Sequence, residues 1–421
     1  MAIERRKDNN NRVLKDGEYQ RKNGSYEYKW RDKTGERHSV YAKTLSELRE
    51  KEAEVQKNIS DGIKCEKSNI TVNDLYNLWV QVKRGLKDNT FQNYKYMYTQ
   101  FVENDIGQLK IADIKRTDVR AFYNRLAEQQ HLKTSTIDCV HTVLHQVLEL
   151  GVEDDYLRYN PSDNALKELK RVYGKSEKVH ALTIAEQHLF EDFLSTSGKY
   201  SRWYPIFTVM LWTGMRVGEA TGLRWCDVDF EKNVINVNHT LVYFSRGAKD
   251  GCCFAVNSPK TKAGERCIPM MKKVRDALLL EKQYQEETGV KCKALVDGYT
   301  DFIFVNRFGD TQNQSTLNRA LKRIIRDCNY DVFKKNQSKG NITFLPHFSN
   351  HTLRHTFTTR MCEARFNVKA MQAILGHADA ETTLNIYADA TDDFVLSEIK
   401  ELEQFYNSPK NEEDDEDNIA V

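Results

Sequence analysis

Residues 346–361 read PHFSNHTLRHTFTTRM, and the way this stretch folds decides where its three histidines point. His347, His351 and His355 are spaced i, i+4, i+8, so one helix over all three would make a stripe able to bind zinc. Pro346 and the pair Ser349-Asn350 predict instead a helix beginning near His351, with His347 left in the loop before it. The segment HTLRHT also lacks the glutamate of a zinc-protease motif, and no metal is expected. In the shorter helix His351, Arg354 and His355 stand at 0, +3 and +4, within about 100° of arc. Leu353, Phe357 and Met361 fill another sector, suited to burial. A His-Arg-His face is either a solvated surface or a seat for phosphate, because guanidinium donors match the geometry of phosphate oxygens.

A second cation suited to phosphate lies upstream, in TGMRVGEATGLRW at 213–225. Thr213 and Gly214 break the apolar run before them, which places Arg216 in the first turn of a new helix, where unpaired N–H groups also favour an anion. Glu219, three residues on, can hold the guanidinium in place. Around these two motifs, residues 181–406 predict helices with a short sheet. Val234 to His239 alternates like a strand, and Cys253–Asn257 and Arg266–Pro269 predict two more, joined by the turn Lys262-Ala263-Gly264-Glu265.

Two further regions precede this one. In residues 1–67, Tyr26, Tyr28 and Trp30 alternate with polar residues, a turn follows at 32–35, and His38, Val40 and Tyr41 begin a returning strand. A helix is expected from Thr44, with Thr44 and Glu47 as a capping box. The strands carry Arg21, Lys22, Lys29, Arg31, Lys33 and Arg37, a basic ribbon that is either a solvated face or one of the kind that lies in a DNA groove. Residues 70–165 predict an all-helical domain: Leu75, Leu78, Trp79 and Val82 keep helical spacing, as do Val140, Val143, Leu144, Val147 and Leu148. Residues 166–180, basic and weakly patterned, are expected to be a linker, and 407–421 an acidic disordered tail. The fold class is therefore multidomain α+β: a small sheet plus helix, an all-α domain, and a mainly α domain with a small antiparallel sheet.

Composition bounds the function classes. The longest nearly apolar run, Tyr204 to Trp212, is too short for a bilayer, which takes about 20 residues. No apolar stretch follows the basic N-terminus, and nine cysteines without a CxxC pair suit reduced thiols, so a cytoplasmic location is expected. The formal net charge of +2 hides a segmental imbalance. Residues 401–421 hold eight acids and one lysine, leaving +9 on residues 1–400, most of it in 1–67 and 171–400. Basic segments with an acidic tail are compatible with nucleic-acid binding, although charge alone favours ordinary scatter.

Together, Arg216 in TGMRVGEATGLRW, Lys260 in SPKTKAGER, His351-x-x-Arg354-His355, His377 in LGHADAETT and Tyr387 in IYAD resemble the tyrosine recombinase (phage integrase) family, in order and in rough spacing. The layout before them is similar to integrases of conjugative transposons and temperate phages. The resemblance implies a bacterial, DNA-associated enzyme that cuts and rejoins DNA through a 3′-phosphotyrosyl intermediate, integrating and excising a mobile element. Tyr387 would be the nucleophile, Arg216 and Arg354 the electrostatic clamp, Lys260 the general acid, His351 the base and His377 a phosphate donor. Glu219 and His355 would support them from behind. Lys262 competes with Lys260, since side-chain alternation puts both on one strand face. Tyr387, ten residues past His377, is the sole tyrosine before Tyr406. The resemblance also implies double-stranded DNA with core and arm attachment sites, a homotetramer on DNA, and excisionase and DNA-bending accessory partners. It implies no cofactor and no membrane. The competing reading is a catalytically inactive DNA-binding regulator or accessory protein on the same scaffold.

Overall fold

A computed structural model describes residues 6–31, 35, 37–60, 70–174, 180–247, 251–259, 262–335, 342–377 and 399–400. Lys33, Lys260, Tyr387 and the acidic tail lie outside the described residues. The chain divides into two compact units, 1–176 and 177–421.

Period-two alternation builds the N-terminal sheet. Strands β1 (Glu18–Gln20), β2 (Tyr26–Arg31) and β3 (Arg37–Ala42) form an antiparallel meander in the order β1-β2-β3. Tyr26 and Tyr28 face inward with Leu14 and Ala42, and helix α1 (Leu45–Ser60) covers them with Leu45 and Leu48. At the start of α1, Thr44 Oγ1 accepts from Glu47 N at 3.2 Å, while the Glu47 carboxylate accepts from Lys43 N rather than closing on Thr44. The expected capping box is thus shifted by one residue on one side.

The remainder of this unit is helical. Helices α2 (Val72–Val82), α3 (Asp88–Met97), α4 (Arg116–Glu128) and α5 (Thr134–Glu153) bury Leu75, Trp79, Val140, Val143, Leu144, Val147 and Leu148 in one core. Thr71 and Asp74 cap α2 reciprocally. The expected linker needs correction at its start. Lys167–Tyr173 is helix α6, and Leu166 and Leu169 are buried in the same core. Its lysines and arginine mask two apolar anchors.

In the second unit, the run Tyr204 to Trp212 becomes helix α8 (Tyr204–Thr213), apolar on every side and accordingly buried. Around it stand α7 (Ile184–Thr196), the short α9 (Val217–Thr221), α10 (Lys272–Thr288), α11 (Gln314–Lys335), α12 (Asn350–Glu363) and α13 (Val368–Leu375). Strands β4 (Val228–Asp229), β5 (Val234–Val237) and β8 (Arg266–Pro269) make one antiparallel sheet, and β6 (Thr240–Ser245) with β7 (Cys252–Asn257) another. The expected turn between β7 and β8 is therefore not a hairpin: β8 pairs with β5, Ile268 opposite Ile235, and β7 with β6. The chain leaves the first sheet at Asn238-His239, where the His239 ring is buried with Nε2 2.6 Å from the Gly222 carbonyl. Among the described residues no helix is long and apolar enough to cross a membrane.

Candidate active site

Helix α12 starts where Pro346 and Ser349 place it, with Ser349 as N-cap and His347 exposed in the loop before it. The three histidines therefore do not form one helical stripe. Leu353, Phe357 and Met361 are buried as their spacing predicts, and His351 is exposed. Arg354 departs from the expected polar face, for it is only 5% exposed. Its guanidinium donates to the Gly214 carbonyl at 2.7 Å and the Leu375 carbonyl at 2.8 Å. Both acceptors sit at helix C-termini. The last carbonyls of a helix lack intrahelical partners and carry partial negative charge, which suits a cation.

Glycine makes both termini possible. Gly214 ends α8 at φ 64°, and a Cβ there would come within 2.5 Å of the Phe357 ring. Gly376 ends α13 at φ 67°, with the Ala263 carbonyl 2.9 Å from where a Cβ would stand. A left-handed residue with no side chain lets each helix end press against its neighbour.

Arg216 is the N-cap of α9 rather than a residue of its first turn. Its side chain, 43% exposed, donates to Glu219 Oε1 at 2.9 Å and to the Gly376 carbonyl at 3.3 Å, while its backbone N–H reaches Glu219 Oε2 at 2.9 Å. Glu219 is 5% exposed and also faces Arg266, with Nη2 2.7 Å from Oε2. Burial pushes the Glu219 carboxyl up, but hydrogen bonds and charge from Arg266, then Arg216, hold it below the usual carboxylate range.

Arg266 is the residue that the sequence reading missed. It was visible only as the first residue of a strand, and its main acceptor, Glu219, lies 47 residues upstream.

Two guanidiniums on one carboxylate, with Arg354 held nearby on backbone carbonyls, leave the site positive, and its other groups register the excess. Burial and then the Arg216 charge bring Arg354 down to about 9, still protonated at neutral pH. His351, exposed as the residue is, is lowered by partial desolvation of its ring and then by Arg354, His355 and Arg216. Half-buried His377, just past Gly376, is lowered to about 4 by burial and by Arg354, Arg216 and Arg266. Both imidazoles are thus neutral near pH 7, able to accept or donate one proton each. His355 stands edge-on to His351, with ring centroids 6.4 Å apart.

The structure therefore gathers Arg216, Glu219, His351, Arg354, His355 and His377 around the ends of α8, α9 and α13. Lys260 and Tyr387 fall outside the described residues. Lys262 opens a 3₁₀ turn, Lys262–Gly264, so strand alternation does not apply to it. What the arrangement offers chemically is a fixed, partly open concentration of positive charge with two neutral imidazoles: a seat for a phosphodiester.

The N-terminal sheet presents a second cationic surface. On the face away from α1, Lys29 and Arg31 of β2 lie beside Arg37 of β3, and Arg31 is directly opposite Arg37. Arg21 sits over the Tyr41 ring at 5.0 Å, and Lys29 over Tyr19 at 5.3 Å. Lys22 is exposed in the turn after β1. Tyr19 and Tyr41, both exposed, belong to this face; Tyr41 was read from sequence only as a strand residue, and Tyr19 was not named.

Three segments match family models: residues 182–393 the phage integrase family, residues 2–59 the DNA-binding domain of Tn916 integrase, and residues 71–127 the SAM-like N-terminal domain of phage integrases. The chain is 33% identical over 412 residues to the transposase from transposon Tn916 of Enterococcus faecalis, covering 95% of this chain and 97% of that protein. It is 26% identical to a XerC-like tyrosine recombinase of Caldanaerobacter subterraneus, over 85% of this chain and 89% of the relative. Among solved structures, the Tn1549 transposon integrase in complex with transposon right end DNA superposes with a TM-score of 0.66 at 29% identity, covering 79% of this chain and all of that one.

Proposed function

The chain belongs to the phage integrase family, a tyrosine-type site-specific recombinase that integrates and excises a mobile element, and we propose that the cations gathered about Arg354 take the scissile phosphate of its double-stranded DNA. The observation that carries this reading is the pairing of buried Arg354 with half-exposed Arg216, both braced by backbone carbonyls at the end of α13. Their remaining N–H donors point charge at the non-bridging oxygens as phosphorus becomes five-coordinate, and the bracing means little reorganisation is needed at that moment.

In this reading Tyr387 Oη attacks phosphorus and the bond to the 5′ oxygen breaks. His351, neutral because partial desolvation and its cationic neighbours depress it, takes the tyrosine proton. Lys260 gives a proton to the departing 5′ oxygen, and His377 donates one hydrogen bond to the phosphate. The product is a 3′-phosphotyrosine and a 5′-hydroxyl. The bond energy is kept in the phosphotyrosine, so a second 5′-hydroxyl can reseal the strand by the reverse steps. Glu219 and His355 act through Arg216 and His351.

The rest of the chain is assigned by the same resemblance. Residues 70–165 and 181–400 each bind the core site, and the cationic sheet face of residues 1–67 binds separate arm sites in a groove. Four copies assemble on two duplexes, with excisionase and DNA-bending proteins setting direction. A nicked duplex carrying the element's end tests the chemistry. Trapped covalent protein–DNA complex that is unaffected by EDTA supports the enzyme. Binding without any covalent complex would leave a catalytically silent DNA-binding protein.

A further inference from the structure

We propose that Arg266 is a positioning residue for strand cleavage, a buried fork that fixes Glu219 and the end of α13 together and so sets how Arg216 and His377 meet the phosphate. This rests on the reading that Arg216 and His377 act on that phosphate. The Arg266 side chain is 4% exposed, and four of its five N–H donors are spent inward, where Arg354 spends only two. Nη2 donates to Glu219 Oε2 at 2.7 Å, and Nη1 to Glu219 Oε1 and the Gly264 carbonyl, both at 3.2 Å. Nε donates to the Ile374 carbonyl at 2.6 Å. One planar group thereby ties the turn before β8, the cap of α9 and the last turn of α13. The rigid guanidinium fork meets all three directions at once, which a lysine ammonium on a flexible stem does not.

The consequence for Arg216 follows from how Glu219 is shared. Each carboxylate oxygen takes one bond from Arg266 and one from Arg216, by side chain at Oε1 and by backbone at Oε2. Arg216 therefore hangs on a carboxylate whose plane Arg266 sets. On the other side, a Cβ at Gly376 would come within 3.1 Å of Arg266 Cδ and Nη1, so the Arg266 stem is the surface on which the residue before His377 rests. Without Arg266, Glu219 is a buried carboxylate left with one cation, and its protonation releases Arg216.

The test uses the full chain and nicked element-end duplexes with either an ordinary phosphodiester or a methylphosphonate at the scissile position. The methylphosphonate replaces a charged oxygen with neutral methyl and so needs less cationic neutralisation. Arg216→Ala is the control. Arg266→Met is expected to cleave the phosphodiester about ten to a hundred times more slowly, the loss of one or more charge-assisted bonds. On the methylphosphonate the deficit shrinks towards that of Arg216→Ala, and the acid limb of the rate–pH profile moves to higher pH as Glu219 takes up protons. Arg266→Lys keeps the charge without the fork; it restores part of the rate and shows the same methylphosphonate recovery, so it carries the test if Arg266→Met fails to fold. Equal losses on both substrates with an unmoved pH profile, or no loss at all, would overturn the proposal for Arg266. Equal losses for Arg216→Ala on both substrates would instead sink the reading of Arg216 on which it rests.

Discussion

Replacing Arg354 with lysine removes donors while keeping a positive charge, and the donor count sets the size of the effect. A guanidinium has five N–H donors. Two are taken by the Gly214 and Leu375 carbonyls at 2.7 and 2.8 Å, which leaves three for the phosphate. An ammonium has three donors, so holding the same two carbonyls leaves it one. The loss is at least one hydrogen bond to a charged group, about 1.5–3 kcal/mol. If that bond is made in the transition state, Arg354→Lys slows cleavage by about 10- to 150-fold. The assay is single-turnover cleavage of a nicked duplex at saturating protein, with the melting temperature measured alongside. A rate within about twofold of wild type in a folded variant would mean that the spare Arg354 donors make no bond to the phosphate. A loss confined to duplex affinity, with the bound rate unchanged, would mean that the bond forms equally in the ground state.

Glu219→Gln leaves buried Arg266 without its counter-charge and is expected to cost about 3–5 kcal/mol, read by chemical denaturation. Since the folded Glu219 carboxyl lies below its ordinary value, its contribution is present above the unfolded carboxylate pKa of about 4.3 and fades as pH falls; the gap between wild type and variant narrows in acid, and a gap unchanged by pH would contradict the pairing. His377, at about 4 in the folded chain, gives stability that is full above about 6.5 and declines as pH falls towards 4, because the unfolded chain protonates first. DNA phosphate should reverse that depression, so calorimetry at pH 5.5 in buffers of differing ionisation enthalpy is expected to show proton uptake on binding, reduced in His377→Asn. In the N-terminal sheet, Lys29→Ala is expected to lower the salt slope of arm-DNA binding by about one unit without slowing core cleavage, and an unchanged slope would remove Lys29 from the phosphate contacts.

Local signals in the sequence located most of the elements. Pro346 and Ser349 marked the start of α12, Thr213-Gly214 the end of α8, and alternation about Tyr28 the N-terminal strands. Non-local pairing defeated the rest. The turn at Lys262–Gly264 has a plausible strand on each side, yet those strands found partners earlier in the chain, β5 and β6, which no local pattern announces. Arg354 looked like a surface cation because its acceptors are backbone carbonyls, one of them 140 residues away, and a carbonyl has no letter in the sequence. Arg266 was hidden for the same reason, with two carbonyls among its acceptors. In α6, charge concealed Leu166 and Leu169, since two buried leucines among lysines and an arginine make too weak a period to read.

The cations Arg216 and Arg354, both braced on carbonyls at the end of α13, are assigned to a phosphate attacked by Tyr387. Digesting the trapped covalent complex and mapping the nucleotide-bearing peptide by mass spectrometry tests this assignment most directly. A single adduct is expected, on Tyr387, with a free 5′-hydroxyl on the released strand and no adduct from Tyr387→Phe. A nucleotide on any other side chain, or adduct persisting in Tyr387→Phe, would contradict it.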